Sequence, residues 1–309
     1  LLDPHVQRFL KLLNAGHPVS VADAGVSARR EQLAALMKFA GPEIAMGRVE
    51  DRLLDAVAGG LAVRIYTPTR SADTMPGLVY FHGGGLVAGS IATHDSIARG
   101  LADAGACRVV SVEYRLGPEQ RFPAALDDAV AAVRHVARHA ARFGIDCERL
   151  GICGDSAGAT LAAAACQALC REGGVPLALQ LLICPILAYG RSEASRRELA
   201  GSFLVNQAIL DHDLQHYLPP GADLDDPRIS PLAAAELSGQ PKTLIHTAEY
   251  DPLRHEAQAY CDRLRSARTD VSYTCHPGMI HLFYGLGAVI PYVRTAFERM
   301  GGEIRAAFG

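Results

Sequence analysis

Runs of basic residues are missing from this chain. Its basic doublets, Arg29-Arg30 and Arg196-Arg197, stand isolated, and the formal net charge is −3. Phosphate binding needs a basic stripe, so nucleic acid is not expected as a partner. Membrane-length apolar runs are missing too. The longest, Val175 to Tyr189, contains Gln180 and Pro185 and falls short of the ~18 clean apolar residues that a span requires. The start, Leu1-Leu2-Asp3-Pro4, has no charged region leading into an apolar core, so no secretion signal is expected. The absent initiator Met leaves room for an upstream piece. No C-x-x-C pair occurs among the eight cysteines, Cys107, Cys147, Cys153, Cys166, Cys170, Cys184, Cys261 and Cys275. Several lie inside apolar segments, as small buried thiols do. In a chain this long they read as reduced core residues of a cytoplasmic protein rather than as a disulfide framework. No internal repeat or low-complexity segment stands out.

What the chain does have is apolar content. Of its 309 residues, 49% are hydrophobic, enough for one large α/β domain with a small appended cap. Residues 1–45 read as amphipathic helices broken at Gly16-His17-Pro18, with Ser27 as cap of a helix through Phe39. Strands follow near Val49–Val57 and Leu61–Tyr66, joined at Gly59-Gly60 as a hairpin. From Leu78 onward, apolar strands at Leu78–Phe81, Val109–Val112, Leu150–Cys153, Ala178–Cys184, Thr243–Thr247 and Val271–Thr274 alternate with helical segments. The helices are expected near Asp95–Ala104, Pro123–Arg142, Ala157–Cys170, Arg254–Ser266 and Val289–Ala307. Such alternation gives a mostly parallel sheet covered on both faces, with the opening hairpin as an antiparallel edge. Between Cys184 and Thr243 the rhythm breaks. That stretch holds the amphipathic segment Asn206–Tyr217 and then Pro219-Pro220-Gly221. An ordered insertion of that length is usually functional. It reads, with the N-terminal helices, as a cap over a site: residues 1–48 form the first cap segment, 49–309 the catalytic domain, and 188–240 the inserted part of the cap.

Two glycine-rich stretches carry the chemistry. Gly154-Asp155-Ser156-Ala157-Gly158 follows one apolar strand and opens an Ala-rich helix. Strand, sharp turn and helix around G-x-S-x-G make Ser156 a nucleophile candidate, and the positive end of the helix dipole favours its developing anion. Phe81-His82-Gly83-Gly84-Gly85 ends another strand. There the N–H groups of Gly83 and Gly84, with that of Ala157, can meet a carbonyl oxygen; each such donor is worth roughly 3 kcal/mol to a tetrahedral intermediate. His82 is expected to fix the loop by hydrogen bonding. The same glycines fit a dinucleotide fingerprint, Gly83-x-Gly85-x-x-Ala88, with Glu113 at the end of the next strand. Gly89 and Thr93 make immediate helix initiation poor, which argues against that reading.

A serine hydroxyl needs a general base within reach. His281, in the turn-rich stretch after the last strand, lies at the sheet edge where the serine loop opens; His276 is nearer the strand body and precedes a proline. Asp251, in Glu249-Tyr250-Asp251-Pro252-Leu253, is the candidate to orient the imidazole, with Glu249 and Glu256 as alternatives. Glu256 is expected on the following helix, facing away. The order Ser, Asp, His agrees with the hydrolase arrangement. His212 and His216, like His135 and His139, have the i, i+4 spacing of metal ligands, but no third ligand accompanies them. Solvated helix faces account for both pairs, and no metal site is expected.

The sequence resembles the hormone-sensitive-lipase-like branch of the α/β-hydrolases. The resemblance rests on His82-Gly83-Gly84-Gly85, Tyr114-Arg115-Leu116-Gly117-Pro118-Glu119, Phe122-Pro123-Ala124-Ala125, Gly154–Gly158, Asp251-Pro252-Leu253 and His281, and it covers most of the chain from about residue 60. Two departures are Ala159 after Gly158, where a second glycine is common, and Gly117 where the family has alanine. The resemblance implies an eight-stranded α/β-hydrolase sheet, a cap built partly from the N-terminus, and hydrolysis of carboxylic esters without a cofactor. Short to medium acyl esters suit a capped pocket, with Leu86, Phe203, Leu204, Leu282 and Phe283 as candidate apolar wall residues. The last strand is a candidate sheet edge, and the resemblance allows a homodimer paired there. A different class is a non-catalytic receptor on the same fold. Such relatives in plants have lost the histidine that this chain keeps as His281.

Overall fold

The structure, a computed structural model, describes residues 1–15, 21–190 and 204–309. The apolar runs become eight strands: β1 (Met46–Leu54), β2 (Leu61–Pro68), β3 (Met75–Phe81), β4 (Arg108–Val112), β5 (Ile145–Asp155), β6 (Leu179–Ile183), β7 (Lys242–Tyr250) and β8 (Val271–Ile280). They form one sheet in the order β1-β2-β4-β3-β5-β6-β7-β8. β2 runs antiparallel to both β1 and β4, and every pair from β4 onward is parallel. Leu78 to Phe81 and Leu179 to Leu182 are fully buried, as strands covered on both faces require. The expected strands are all present, with shifted ends. β1 starts at Met46, ahead of the boundary at residue 49, and leaves the sheet after Leu54 rather than Val57. Asp55 to Gly60 form the turn, where Gly59 and Gly60 both have positive φ. β8 continues past Thr274 to Ile280, because Tyr250 pairs with Ile280 beyond a register shift.

Eight α-helices are present among the described residues: α1 (Pro4–Ala15), α2 (Val21–Met37), α3 (Asp95–Gly105), α4 (Ala124–Arg138), α5 (Ala157–Glu172), α6 (Gln207–Tyr217), α7 (Arg254–Ser266) and α8 (Tyr292–Phe308). α3 packs with α8 on one face of the sheet, and α4 packs with α5 on the other. Gln167 of α5 donates to Tyr260 of α7, which places α7 on the α5 side. α2 kinks at Gly25, which has φ 71° and ψ 175°. Beyond the kink Ser27 Oγ donates to Glu31 instead of capping the helix. The insertion contributes α6, with Asn206 as its N-cap accepting from Ile209 N at 3.1 Å.

The N-terminal helix α2 meets α6 of the insertion. Arg29 of α2 donates to both carboxylate oxygens of Asp213 on α6, at 3.1 to 3.3 Å, in a nearly buried ion pair. Its neighbour Arg30 turns to the sheet domain, donating to Val87 O, Gly117 O and the Glu119 carboxylate. α1 goes elsewhere: it lies beside β8, with Asp3 N donating to Gly278 O at 3.1 Å. No helix among the described residues is long and apolar enough to cross a membrane.

Candidate active site

Parallel strands leave their C-terminal ends along one edge, and the loops that follow carry the candidate side chains. β3 delivers the glycine loop, β5 delivers Ser156, β7 delivers Asp251 and β8 delivers His281. The elbow after β5 is built by close approach. A Cβ at Gly158 would strike the carbonyl oxygens of Phe81 and His82, and one at Gly154 would strike Gly158 O. Ser156 itself holds φ 52° and ψ −123°, a region that a residue with a side chain rarely occupies. Its N–H donates to Ile183 O at 2.8 Å, and its C=O accepts from Ala159 and Thr160 in the first turn of α5. The backbone is thereby pinned on both sides of the strained residue.

The three side chains form a line. His281 Nε2 is 2.9 Å from Ser156 Oγ, and His281 Nδ1 is 2.8 Å from Asp251 Oδ2. Asp251 is fully buried, and its other oxygen accepts from Leu253 N at 2.9 Å. A buried carboxylate fixed by a backbone N–H holds the imidazole with its proton on Nδ1 and its Nε2 lone pair toward the serine. Ser156 retains 9% of its surface, so the hydroxyl is the open end of an otherwise sealed line.

The other titratable groups that the sequence offers lie off this line. Glu249 accepts from Gly278 N at 2.7 Å and ties the β7 and β8 ends together. Glu256 is on α7 as expected but is fully buried, accepting from Leu187 N at 2.8 Å. His276 faces His246 and Tyr292, not the serine.

The glycine loop differs in one donor. Gly83 N donates to Asp155 Oδ1 at 3.0 Å, so that N–H is already taken, and the expectation of Gly83 as an oxyanion donor is corrected. Among the described residues the N–H groups of Gly84, Gly85 and Ala157 meet no acceptor. Asp155 is the organising group that sequence reasoning left without a role, although it precedes the serine. Fully buried, it accepts from Tyr80 OH, Gly83 N and Tyr284 OH, with His94 Nε2 at 3.7 Å. Burial pushes its carboxyl above the usual range, while the Tyr80 and Gly83 bonds pull the other way.

His82 fixes the loop, as expected of it. Its Nδ1 is 2.8 Å from Gly83 O, and its ring stacks on Tyr114 at 4.3 Å, while Tyr114 OH donates to His82 O at 2.6 Å. Burial pushes both His82 and His94 down to about 3, so both are neutral scaffold. Side chains of α2 and α6 lie against the loop. A Cβ at Gly84 would press on Ala88 O and on Leu33 of α2, and one at Gly85 would strike the Asp213 carboxylate of α6. Helix α3 begins only at Asp95, so the loop lacks the immediate helix of a dinucleotide site.

The candidate wall residues fare differently. Leu86 and Leu282 are buried with positive φ, and Leu204 is half-buried against the core. Phe283 is enclosed: its ring centroid is 5.1 Å from that of His276 and 5.6 Å from that of Tyr284. A ring so occupied is core behind the triad rather than free pocket wall. Phe203 lies outside the described residues. His212 is buried, not solvated, with Nδ1 3.1 Å from Asp213 Oδ1, the carboxylate that pairs with Arg29 of α2. His135 and His139 are half-buried.

The sequence pattern of the alpha/beta hydrolase fold family matches residues 78–285. The chain belongs to that family, in its hormone-sensitive-lipase-like branch. It is similar to a carboxylesterase, NlhH, of Mycobacterium tuberculosis: 36% identical, over 96% of this chain and 94% of that one. An ethyl acetate hydrolase of Pseudomonas putida is 34% identical over 94% of each chain. The crystallised ester hydrolase from the metagenome of Lake Arreo superposes with a TM-score of 0.96 at 36% identity, covering 100% of both chains.

Proposed function

We propose that this protein hydrolyses carboxylic esters of short to medium acyl length through an acyl-enzyme on Ser156. Ser156 Oγ attacks the ester carbonyl as its proton passes to His281 Nε2, and the Nδ1–H of the resulting imidazolium donates to Asp251. The carbonyl oxygen becomes an oxyanion that the N–H groups of Gly84, Gly85 and Ala157 hold. Each donor contributes on the order of 10²-fold or more. The intermediate collapses, the C–O bond breaks, and the alcohol leaves with the proton from Nε2. Water then attacks the acyl group, giving its proton to Nε2, and the acid departs as the proton returns to Ser156. No cofactor enters these steps.

The observation that carries this reading is the unbroken line from Asp251 through His281 to Ser156, at 2.8 and 2.9 Å. The small ester in the name of the Pseudomonas putida relative supports the short acyl range. Two further assignments belong with this reading. The eight free cysteines suit a reducing, cytoplasmic location. β8 is the last strand of the sheet order, and its stretch ahead of the Gly278 carbonyl that Asp3 holds suits a homodimer paired there; a single monomer mass by light scattering would refute it. For activity, the test is p-nitrophenyl esters of increasing acyl length. Short chains should turn over fastest, and Ser156→Ala should lower kcat by on the order of 10⁴ or more. Residual turnover near the parent rate would refute the assignment.

A further inference from the structure

We propose that Cys184, Asp251 and His281 form an inhibitory site for a soft divalent cation, zinc or cadmium, bound behind the triad. The inference rests on the triad reading above, because the ion acts by removing the base. One ligand atom from each residue lies within 4.8 Å of the other two. The donors come from three different strand ends: Cys184 directly follows β6, Asp251 follows β7 and His281 follows β8. Thiolate, carboxylate and imidazole together suit zinc or cadmium, whereas magnesium and calcium favour all-oxygen sets. Bound at about 2.0–2.3 Å to each atom, a tetrahedral ion separates its donors by about 3.3–3.7 Å. Donor pairs that stand up to 4.8 Å apart therefore close by up to about 1.1–1.5 Å on binding.

Cys184 is placed for this by unusual backbone. It has φ 44°, a left-handed conformation for a residue with a side chain. Its N–H donates to His246 O at 2.7 Å, which locks that conformation. The residue is buried, and its thiol is pushed well up by burial and by the Asp251 carboxylate. Without an ion it is a neutral thiol that no step of ester hydrolysis uses.

The proton balance explains the inhibition. An incoming divalent ion displaces the Cys184 thiol proton to solvent and takes the Nδ1 lone pair of His281, whose single proton moves to Nε2. Two negative ligands and a neutral imidazole then balance the ion's charge, which makes the site tolerable in a buried setting. Nε2 now carries the proton and faces Ser156 Oγ as a donor. It cannot accept the serine proton, so kcat falls while ester binding persists.

The experiment has two independent readouts. In a parent bearing Cys147→Ala and Cys275→Ala, which removes the exposed thiols, zinc chloride is titrated into the ester assay. Each variant is compared with its own metal-free rate. We expect kcat to fall with KM unchanged and EDTA to restore it. Adding Cys184→Ala should raise the zinc concentration for half-inhibition at least tenfold; Cys184→Ser should fall between. The second readout needs no turnover. Cadmium chloride added to the Ser156→Ala form of that parent should give one thiolate-to-cadmium charge-transfer band per chain, absent when Cys184 is alanine. Equal zinc sensitivity with and without the Cys184 thiol would overturn the proposal, as would absence of the Cys184-dependent band. A band without esterase activity in the metal-free parent would instead overturn the esterase reading and leave the metal site standing.

Discussion

Among the described residues, two chains of acid, imidazole and hydroxyl invite comparison, and one of them is the line on which the proposed chemistry rests. In the first, Asp251, His281 and Ser156 stand at 2.8 and 2.9 Å. In the second, Glu303 of α8 meets His246 Nε2 at 2.9 Å, His246 Nδ1 meets His276 Nε2 at 3.0 Å, and His276 Nδ1 meets Tyr292 OH at 3.1 Å. Although the second chain has two imidazoles in series and ends on a phenol, the distances match closely. The surroundings do not. Ser156 sits on a strained elbow at a helix N-terminus, next to three N–H groups that meet no acceptor among the described residues. Tyr292 is a phenol on the first residue of α8, pushed above its usual value by burial, with the Phe283 ring against the histidine it meets. A hydrogen-bonded relay alone is therefore scaffolding. It becomes catalytic where it ends on an accessible alkoxide precursor beside donors for the oxyanion.

The sharpest way to break this comparison is to neutralise each acid in turn. Asp251→Asn should leave the site folded yet lower kcat by roughly 10⁴, because the amide favours the wrong imidazole tautomer. Glu303→Gln should leave kcat within about twofold and cost about 1–3 kcal/mol of stability, as the loss of a charged hydrogen bond does. Steady-state kinetics beside chemical denaturation separates the two outcomes. Equal kinetic losses would mean that the second chain also feeds the site.

A smaller effect distinguishes the chains by pH. His276 is pushed down from 6.5 to about 3, chiefly by burial, then by His246 and Arg299, with Glu303 opposing. Below about pH 6.5 the unfolded chain takes up a proton at this residue that the native state refuses until about pH 3. Stability is thus complete above the ordinary imidazole value and declines as pH falls through that window, by about 1.4 kcal/mol per pH unit per such group. His82 and His94, also pushed down to about 3, act with the same sign. Tm measured from about pH 7 to about pH 4 should fall steeply in the parent and less steeply in His276→Phe. An unchanged acid limb would show that His276 is not among the groups resisting protonation.

Much of this was legible in residue order, and the reason is local. Strands buried on both faces read as apolar runs, and G-x-S-x-G at a strand-to-helix turn marks its own geometry. Asp251 and His281 could be chosen because parallel strands put every following loop on one edge. What residue order could not carry was the direction of single bonds. Gly83 and Gly84 are equivalent as letters, yet Asp155 takes the Gly83 N–H. His212 and His216 share a helix, yet only the first is buried, beside the Asp213 carboxylate that Arg29 of α2 holds. Phe283 reads as a candidate pocket wall, while its ring packs against His276 of β8 and Tyr292 of α8. Cys184 looked like any small core residue until β7 and β8 brought a carboxylate and an imidazole to it. Each of these depends on tertiary contacts between segments far apart in sequence.

The smallest predicted effect probes whether the two chains are as separate as their roles imply. Two rings connect their surroundings: Phe283 lies against His276, and Tyr284, beside it, reaches Asp155 through its hydroxyl at 3.2 Å. Tyr292→Phe deletes one hydroxyl from the far end of the second chain. Tyr292 is half-exposed, so water can replace the lost partner of His276, and the cost should be about 0.5–1.5 kcal/mol. If packing between Phe283 and Tyr284 does not transmit such a change, kcat/KM stays within about twofold, small beside the effect of removing a transition-state donor. A tenfold fall with unchanged stability would mean that the ring pair couples Tyr292 to Asp155. The elbow's geometry would then depend on both chains, and the contrast between scaffold and catalyst would have to be redrawn at Phe283.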